Sequence, residues 1–154
     1  VRSLAKAKVK IVIPTPALSE ALVGAGAKAA NDYLASISKS HHFRIAPFDE
    51  RAALEVAFMT QAAIISGDKK SGSPDTWAKI KYDRQIVAIA KVAGAGIIYT
   101  DDRNMRALAF ANGLRSVSVA DLQIPSDSAQ MNMDLQAQPS PTAMAEEPED
   151  DDQQ

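Results

Sequence analysis

Val9-Lys10-Ile11-Val12-Ile13-Pro14-Thr15-Pro16 decides the fold class. Val9 to Ile13 form a short, β-branched run of the kind that makes a buried strand. Thr15 then offers an N-cap, and Pro16 suits the first helical position because its missing N–H has no intrahelical partner to lose. The predicted helix runs through Leu22 and breaks at Gly24-Ala25-Gly26. A strand that turns directly into a helix is the opening half of a strand–helix–strand unit.

Outward from there the alternation repeats. Lys28 to Ser38 carry Ala30, Tyr33, Leu34 and Ile37 along one helical face. Phe43 to Phe48 alternate as a strand, interrupted at Pro47. Asp49 is the expected cap of a helix over Glu50 to Ile65, whose apolar face is predicted to carry Ala53, Leu54, Ala57, Phe58 and Ile64. Ser66 to Ser73 read as a loop, followed by a helix that starts between Ser73 and Asp75 and ends near Gly94. Gly96 to Thr100 form a strand, Asp102 to Asn112 a helix stopped by Asn112-Gly113, and Ser116 to Val119 a last strand. Before Val9, Arg2 to Lys8 read as helical. Short Val- and Ile-rich strands between helices imply an α/β fold, a short parallel sheet with helices on both faces.

The chain is long enough, at 154 residues, for one domain with a core. It contains no cysteine, which excludes disulfides, thiolate metal sites and cysteine nucleophiles. No apolar run approaches the roughly 18 residues of a membrane span, and no signal peptide is visible, so a cytoplasmic protein with no membrane partner is expected. Charge divides sharply. Residues 1–122 hold 17 Lys and Arg against 11 acids, a balance of +6, whereas residues 123–154 hold 8 acids and no base. The expected organisation is a folded domain over 1–122 and a disordered acidic tail over 123–154. A basic body suits a nucleic-acid partner, and an ordinary solvated surface accounts for it equally well.

Four carboxylates occupy positions that ask for an explanation. Asp83 shares a helical face with Ile80, Val87 and Ala90, where an unpaired acid costs several kcal/mol or stays protonated. A salt bridge to the adjacent Lys79, Lys81 or Arg84 is the plain alternative. Asp101 and Asp102 follow a strand at its carboxyl end, where open parallel sheets place ligands, and one of them suffices as a helix cap. Glu20 lies one turn into the helix after the first strand, where the helix dipole alone would favour it. Clustered acids of this kind suit a hard divalent cation, Mg²⁺ or Mn²⁺, and metal-assisted phosphodiester hydrolysis.

Other features carry less. His41-His42 sit in a polar turn beside a strand and are read as structural. Gly24-Ala25-Gly26 and Gly94-Ala95-Gly96 lack the strand–loop–helix order of a phosphate loop and are read as helix ends. Trp77 and Tyr82 could stack on bases, although rim packing is commoner at helical spacing. Lys69-Lys70, Lys79, Lys81, Arg84, Arg103 and Arg106 flank the acids and are candidates to hold RNA phosphates.

Three segments together resemble the PIN domain family, the nuclease fold of VapC-type toxins. Ile13-Pro14-Thr15-Pro16-Ala17-Leu18-Ser19-Glu20 is similar to the strand-then-helix element with the family's second acid. Asp83-Arg84-Gln85-Ile86-Val87-Ala88-Ile89-Ala90 resembles the helix with the third, and Thr100-Asp101-Asp102 its Thr-x-Asp element, which points to Asp102. The resemblance implies a three-layer α/β/α fold and a metal-dependent endoribonuclease, with the toxin of a type II toxin–antitoxin pair as its setting. Glu20, Asp83 and Asp102 would hold Mg²⁺ or Mn²⁺, with Asp101 as a further contributor. RNA, an antitoxin protein and a second copy of the chain are the implied partners. The family also opens with a strand ending in Asp; no acid precedes Glu20 here, so the domain is expected to be N-terminally incomplete. A catalytically impaired module that binds RNA or protein is the competing expectation, and a phosphotransfer domain a weaker third.

Overall fold

The computed structural model describes residues 9–122. The helix expected over Arg2 to Lys8 and the acidic tail lie outside the described residues. The elements run β1 (Ile11–Pro14), α1 (Thr15–Ala25), α2 (Ala27–Lys39), β2 (Phe43–Ala46), α3 (Glu50–Ile65), α4 (Trp77–Val92), β3 (Ile97–Tyr99), α5 (Arg103–Ala111) and β4 (Arg115–Val117), then a 3₁₀ turn at Val119–Asp121. This is a mixed α/β fold with short parallel strand pairs, the class that the alternation implies.

Local chemistry sets most boundaries. Asp49 caps α3 by accepting from the Ala52 N–H at 2.9 Å, as expected. The start of α1 differs from expectation. Thr15 makes no cap hydrogen bond and is already helical, while Pro14 holds the extended capping position. Pro14 is still paired with Ala46 in the strand ladder, so strand passes straight into helix, one residue earlier than expected. Gly26, at φ 79°, separates α1 from α2 in a left-handed conformation that a side chain would strain. Thr76 rather than a residue of 73–75 begins α4, its hydroxyl accepting from the Lys79 N–H.

The strands pair as two units rather than one ladder. β1 runs parallel to β2, with Ile11 opposite Phe43 and Pro14 opposite Ala46. β3 runs parallel to β4, with Ile97 opposite Arg115. No strand among the described residues bridges β1 and β3. Helix α4 joins the pairs instead. Val87 and Ala90 pack with Ile98 of β3, while Ala88 and Ile89 pack with Ala46 of β2 and Val12 of β1. Both strand-to-helix turns, after β1 and after β3, therefore come to the same helix.

Two helical faces differ from the sequence expectation. On α3 the buried residues are Ala52 and Ala63, with Val56 and Met59 packed beside them; Leu54, Phe58 and Ile64 are exposed, as are Ala53 and Ala57. α4 offers α3 its close-set Ala88 and Ile89, and small residues permit the nearer approach. On α2 no residue is buried, and Tyr33 and Leu34 face solvent. Among the described residues no helix is long and apolar enough to cross a membrane.

Candidate carboxylate site

Asp83 lies where helical periodicity places it. Ile80, Asp83, Val87 and Ala90 are all buried, and the Asp83 residue is 8 % exposed. Its charge is not left alone. Lys79, one turn earlier on α4, donates from Nζ to Asp83 Oδ2 at 3.0 Å, to Asp75 Oδ2 at 2.9 Å and to Asp102 Oδ2 at 2.7 Å. An ammonium has three donors, and all three are used on three carboxylates. The burial of Asp83 and its neighbouring salt bridge are thus both present.

Asp102 reaches the cluster by dividing its two oxygens. Oδ1 caps α5, accepting from the N–H groups of Asn104 at 2.7 Å and Met105 at 3.0 Å, while Oδ2 takes the lysine. Capping and site membership are not alternatives for this residue. Asp101 points elsewhere: its Oδ1 accepts from the Ser118 hydroxyl and from the Val119 N–H at 2.9 Å, pinning the 3₁₀ turn. Asp101 is therefore placed outside the cluster. Asp75, by sequence only a possible helix start, belongs to it, and is fixed further by Asn104 Nδ2 at 2.7 Å.

Glu20 enters from α1. It is exposed and lines a cleft of about 560 Å³ together with Ala17, Lys79, Asp83, Thr100 and Asp102. Tyr82 on α4 holds α1 in place, its hydroxyl donating to the Pro16 carbonyl and lying 3.2 Å from Ser19 Oγ. Three of the four acids singled out in the sequence, Glu20, Asp83 and Asp102, accordingly line one cleft.

The acids differ in proton affinity. Desolvation pushes Asp83 above the ordinary carboxylate range, only partly offset by the Lys79 hydrogen bond. The Lys79 hydrogen bond, with help from the Met105 and Asn104 amides, pulls Asp102 below it. Lys79 and Asn104 lower Asp75 in the same way. Burial pulls Lys79 down, but the hydrogen bonds from Asp102, Asp75 and Asp83 outweigh it and hold the ammonium above an ordinary lysine.

Among the described residues no group of three or more acids or histidines converges closely enough to hold a metal ion. The lysine explains the spacing. Its nitrogen holds oxygens at 2.7–3.0 Å, whereas Mg²⁺ draws them to about 2.0–2.1 Å. The donor chemistry nevertheless fits a hard cation: Asp83 and Asp102 converge on one point already taken by a positive charge, beside a cleft with room for water. Mg²⁺ commonly uses one or two carboxylates and keeps several waters.

The basic residues divide. Lys81 and Arg103 are exposed and Arg106 half-buried, whereas Lys79 is engaged with the acids. Arg84 does not belong with candidates for phosphate contact, because it is 1 % exposed. Its guanidinium donates to Thr60 Oγ1 at 3.1 Å, the Lys69 carbonyl at 2.8 Å and Ser71 Oγ at 3.3 Å, clamping the loop before α4. Trp77 is similarly occupied, with Lys69 Nζ 4.2 Å and the Arg84 guanidinium 5.3 Å from its ring centre. His41 and His42 lie in the turn before β2, where the His42 carbonyl accepts from Ile11 N at 2.8 Å. No family model matches the chain, and no curated protein is significantly similar to it.

Proposed function

We propose that this protein is a divalent-metal-dependent endoribonuclease of PIN type that hydrolyses RNA phosphodiester bonds with Mg²⁺ or Mn²⁺. The observation that carries the reading is the convergence of Asp83 and Asp102 on one cationic centre in a cleft that Glu20 also lines. A buried carboxylate with raised proton affinity beside two lowered ones, Asp75 and Asp102, is the electrostatic pattern of a functional cluster.

In this reading Asp83 and Asp102 would hold the ion, and Glu20, on the cleft wall, would orient the attacking water. When bound, the ion supplies charge neutralisation at the phosphate and acidifies the attacking water. Thr100 and the α5 cap keep Asp102 in place: the Asp102 N–H donates to Thr100 Oγ1 at 3.2 Å. Lys81, Arg103 and Arg106 supply positive charge for the RNA backbone. The toxin of a type II pair is the setting that the resemblance implies, and the exposed apolar residues Leu54, Phe58 and Ile65 of α3 offer a face for a partner protein or a second copy.

The test is cleavage of end-labelled RNA by this chain with Mn²⁺, with and without chelator. Asp83→Asn should lower cleavage by more than the roughly 100-fold that loss of an outer-sphere partner costs. Cleavage that survives chelator, or survives Asp83→Asn, removes the reading. A second reading, an RNA- or protein-binding module without catalysis, is favoured by the lysine that already occupies the point between the acids. It predicts RNA binding that neither Mn²⁺ nor Asp83→Asn alters.

A further inference from the structure

Lys79 stands at the point on which the carboxylates converge, and its surroundings give it somewhere else to go. Asp75, just before the cap of α4, and Asp83, one turn after Lys79 on the helix, flank it at four-residue steps and both accept from its nitrogen. The lysine stem can therefore shift between them without moving the backbone. Its side chain is 40 % exposed, whereas that of Asp83 is 11 % exposed, so the ammonium has an open side by which to leave Asp83. Asp75 is independently held by Asn104 and stays in position when the ammonium moves.

The charges balance once a divalent ion is present. Three carboxylates around one ammonium leave two negative charges uncompensated. A divalent ion taken up between Asp83 and Asp102 supplies two positive charges, while Lys79 remains paired with Asp75. Each carboxylate then has a cationic partner, and no like charges face one another unscreened.

We propose that Lys79 is a built-in counter-ion, which holds the Asp83–Asp102 site in the metal-free protein and is expelled onto Asp75 when a divalent ion enters. This rests on the metal-dependent reading above and deepens it. Lys79 becomes a positioning residue for the metal site rather than a ligand of RNA. Asp75 acts as the station to which it withdraws. Metal uptake is then an exchange of cations, and the protein is protected from collapse of the acidic cluster when metal is scarce.

The experiment measures Mn²⁺ affinity of the full chain by calorimetry or by Mn²⁺ paramagnetic resonance. Lys79→Met and the milder Lys79→Gln should both bind tighter than the unaltered protein, on the order of tenfold. Lys81→Met, which removes a nearby charge outside the cluster, should change affinity much less. Asp75→Asn should weaken binding in the unaltered background and have no effect once Lys79 is Met, since its role runs through the lysine. On the unaltered protein, Mn²⁺ should raise the reductive methylation of Lys79, read by peptide mass spectrometry, and chelator should reverse it.

Mn²⁺ binding that Asp83→Asn abolishes but Lys79→Met does not tighten overturns this proposal and leaves the metal reading intact. Equal gains from Lys79→Met and Lys81→Met overturn it as well, because the lysine would then act only through the general field. Absence of Mn²⁺ binding in every variant, at millimolar metal, removes both proposals together. Methylation of Lys79 that metal leaves unchanged overturns the exchange without relying on any substitution.

Discussion

Asp83 of α4 and Asp102 at the head of α5 accept hydrogen bonds from the same nitrogen, Lys79 Nζ, at 3.0 and 2.7 Å, yet their proton affinities are displaced in opposite directions. Burial dominates at Asp83, and hydrogen bonding dominates at Asp102. The contrast separates what the fold needs from what the site needs, and each residue gives its own prediction.

Asp83 is raised, so its contribution to stability is complete at low pH and is lost as pH rises through its folded value. At neutral pH the ionised side chain therefore works against folding. Asp83→Asn should leave stability at pH 7 unchanged or increased, measured by urea denaturation, and this advantage should shrink toward pH 4. Stability gained while metal affinity is lost is the signature of a residue kept for function. A loss above about 1 kcal/mol at pH 7, the centre of the range for ordinary substitutions, would instead make Asp83 a structural ion-pair member.

Asp102 carries the opposite sign. Its lowered proton affinity contributes stability above the unfolded carboxylate value, and that contribution fades as pH falls through the folded value. Substitution distinguishes its two oxygens. Asp102→Ala should destabilise by about 1 kcal/mol through loss of the α5 cap. Asp102→Asn keeps a good capping side chain and should cost little stability, while both variants lose Mn²⁺ affinity. The pair should be compared by thermal denaturation and metal titration in parallel. Equal destabilisation by Asn and Ala would show that the Lys79 contact, not the cap, secures the residue.

Much of this site was legible in the chain because its signals are local. The inward setting of Asp83 follows from the three- and four-residue steps of Ile80, Val87 and Ala90, and the Asp49 cap follows from the residue type and what comes after it. The four-residue steps from Asp75 to Lys79 to Asp83 are local too, but the meeting with Asp102 depends on where α5 begins. What the chain did not yield depends on contacts between distant segments. The two strand pairs are separate because hydrogen-bonding partners, not residue composition, decide where a ladder ends. Asp101 and Asp102 are adjacent acids that only the position of Ser118 and Val119 tells apart. Arg84 reads as one more surface base until Thr60 and the 69–71 backbone are seen to surround it.

Arg84 illustrates how burial reverses a function assigned by charge. Its guanidinium is out of solvent and spans α3 and the loop before α4, and burial lowers its proton affinity. Arg84→Ala should destabilise by about 2–3 kcal/mol, because the Lys69 carbonyl and Thr60 hydroxyl lose a donor and the side-chain volume is vacated. Arg84→Lys should not recover it, since one ammonium cannot reproduce the forked geometry. Hydrogen exchange should quicken in residues 66–76, while the RNA affinity of the folded fraction stays unchanged. An RNA affinity that falls without any loss of stability would return Arg84 to the phosphate-binding set.

The faces of α3 provide the last contrast, and one that bears on the fold alone. Two stripes of helical period run along this helix, and periodicity cannot choose between them. Packing chose the smaller residues: Ala52 is fully buried against α4, with Ala88 likewise fully buried, while Leu54 and Phe58 are 55 % and 60 % exposed. Ala52→Leu should therefore cost about 1–3 kcal/mol, since extra volume has to force apart a close helix contact. Leu54→Ser and Phe58→Ser should each stay within about 0.5 kcal/mol in dilute monomer, as exposed substitutions do. Denaturation at several protein concentrations makes the comparison complete. If the two serine variants lose stability only at high concentration, the exposed stripe is covered by a second copy; if they lose it at every concentration, the stripe belongs to the core and the assignment of faces is reversed.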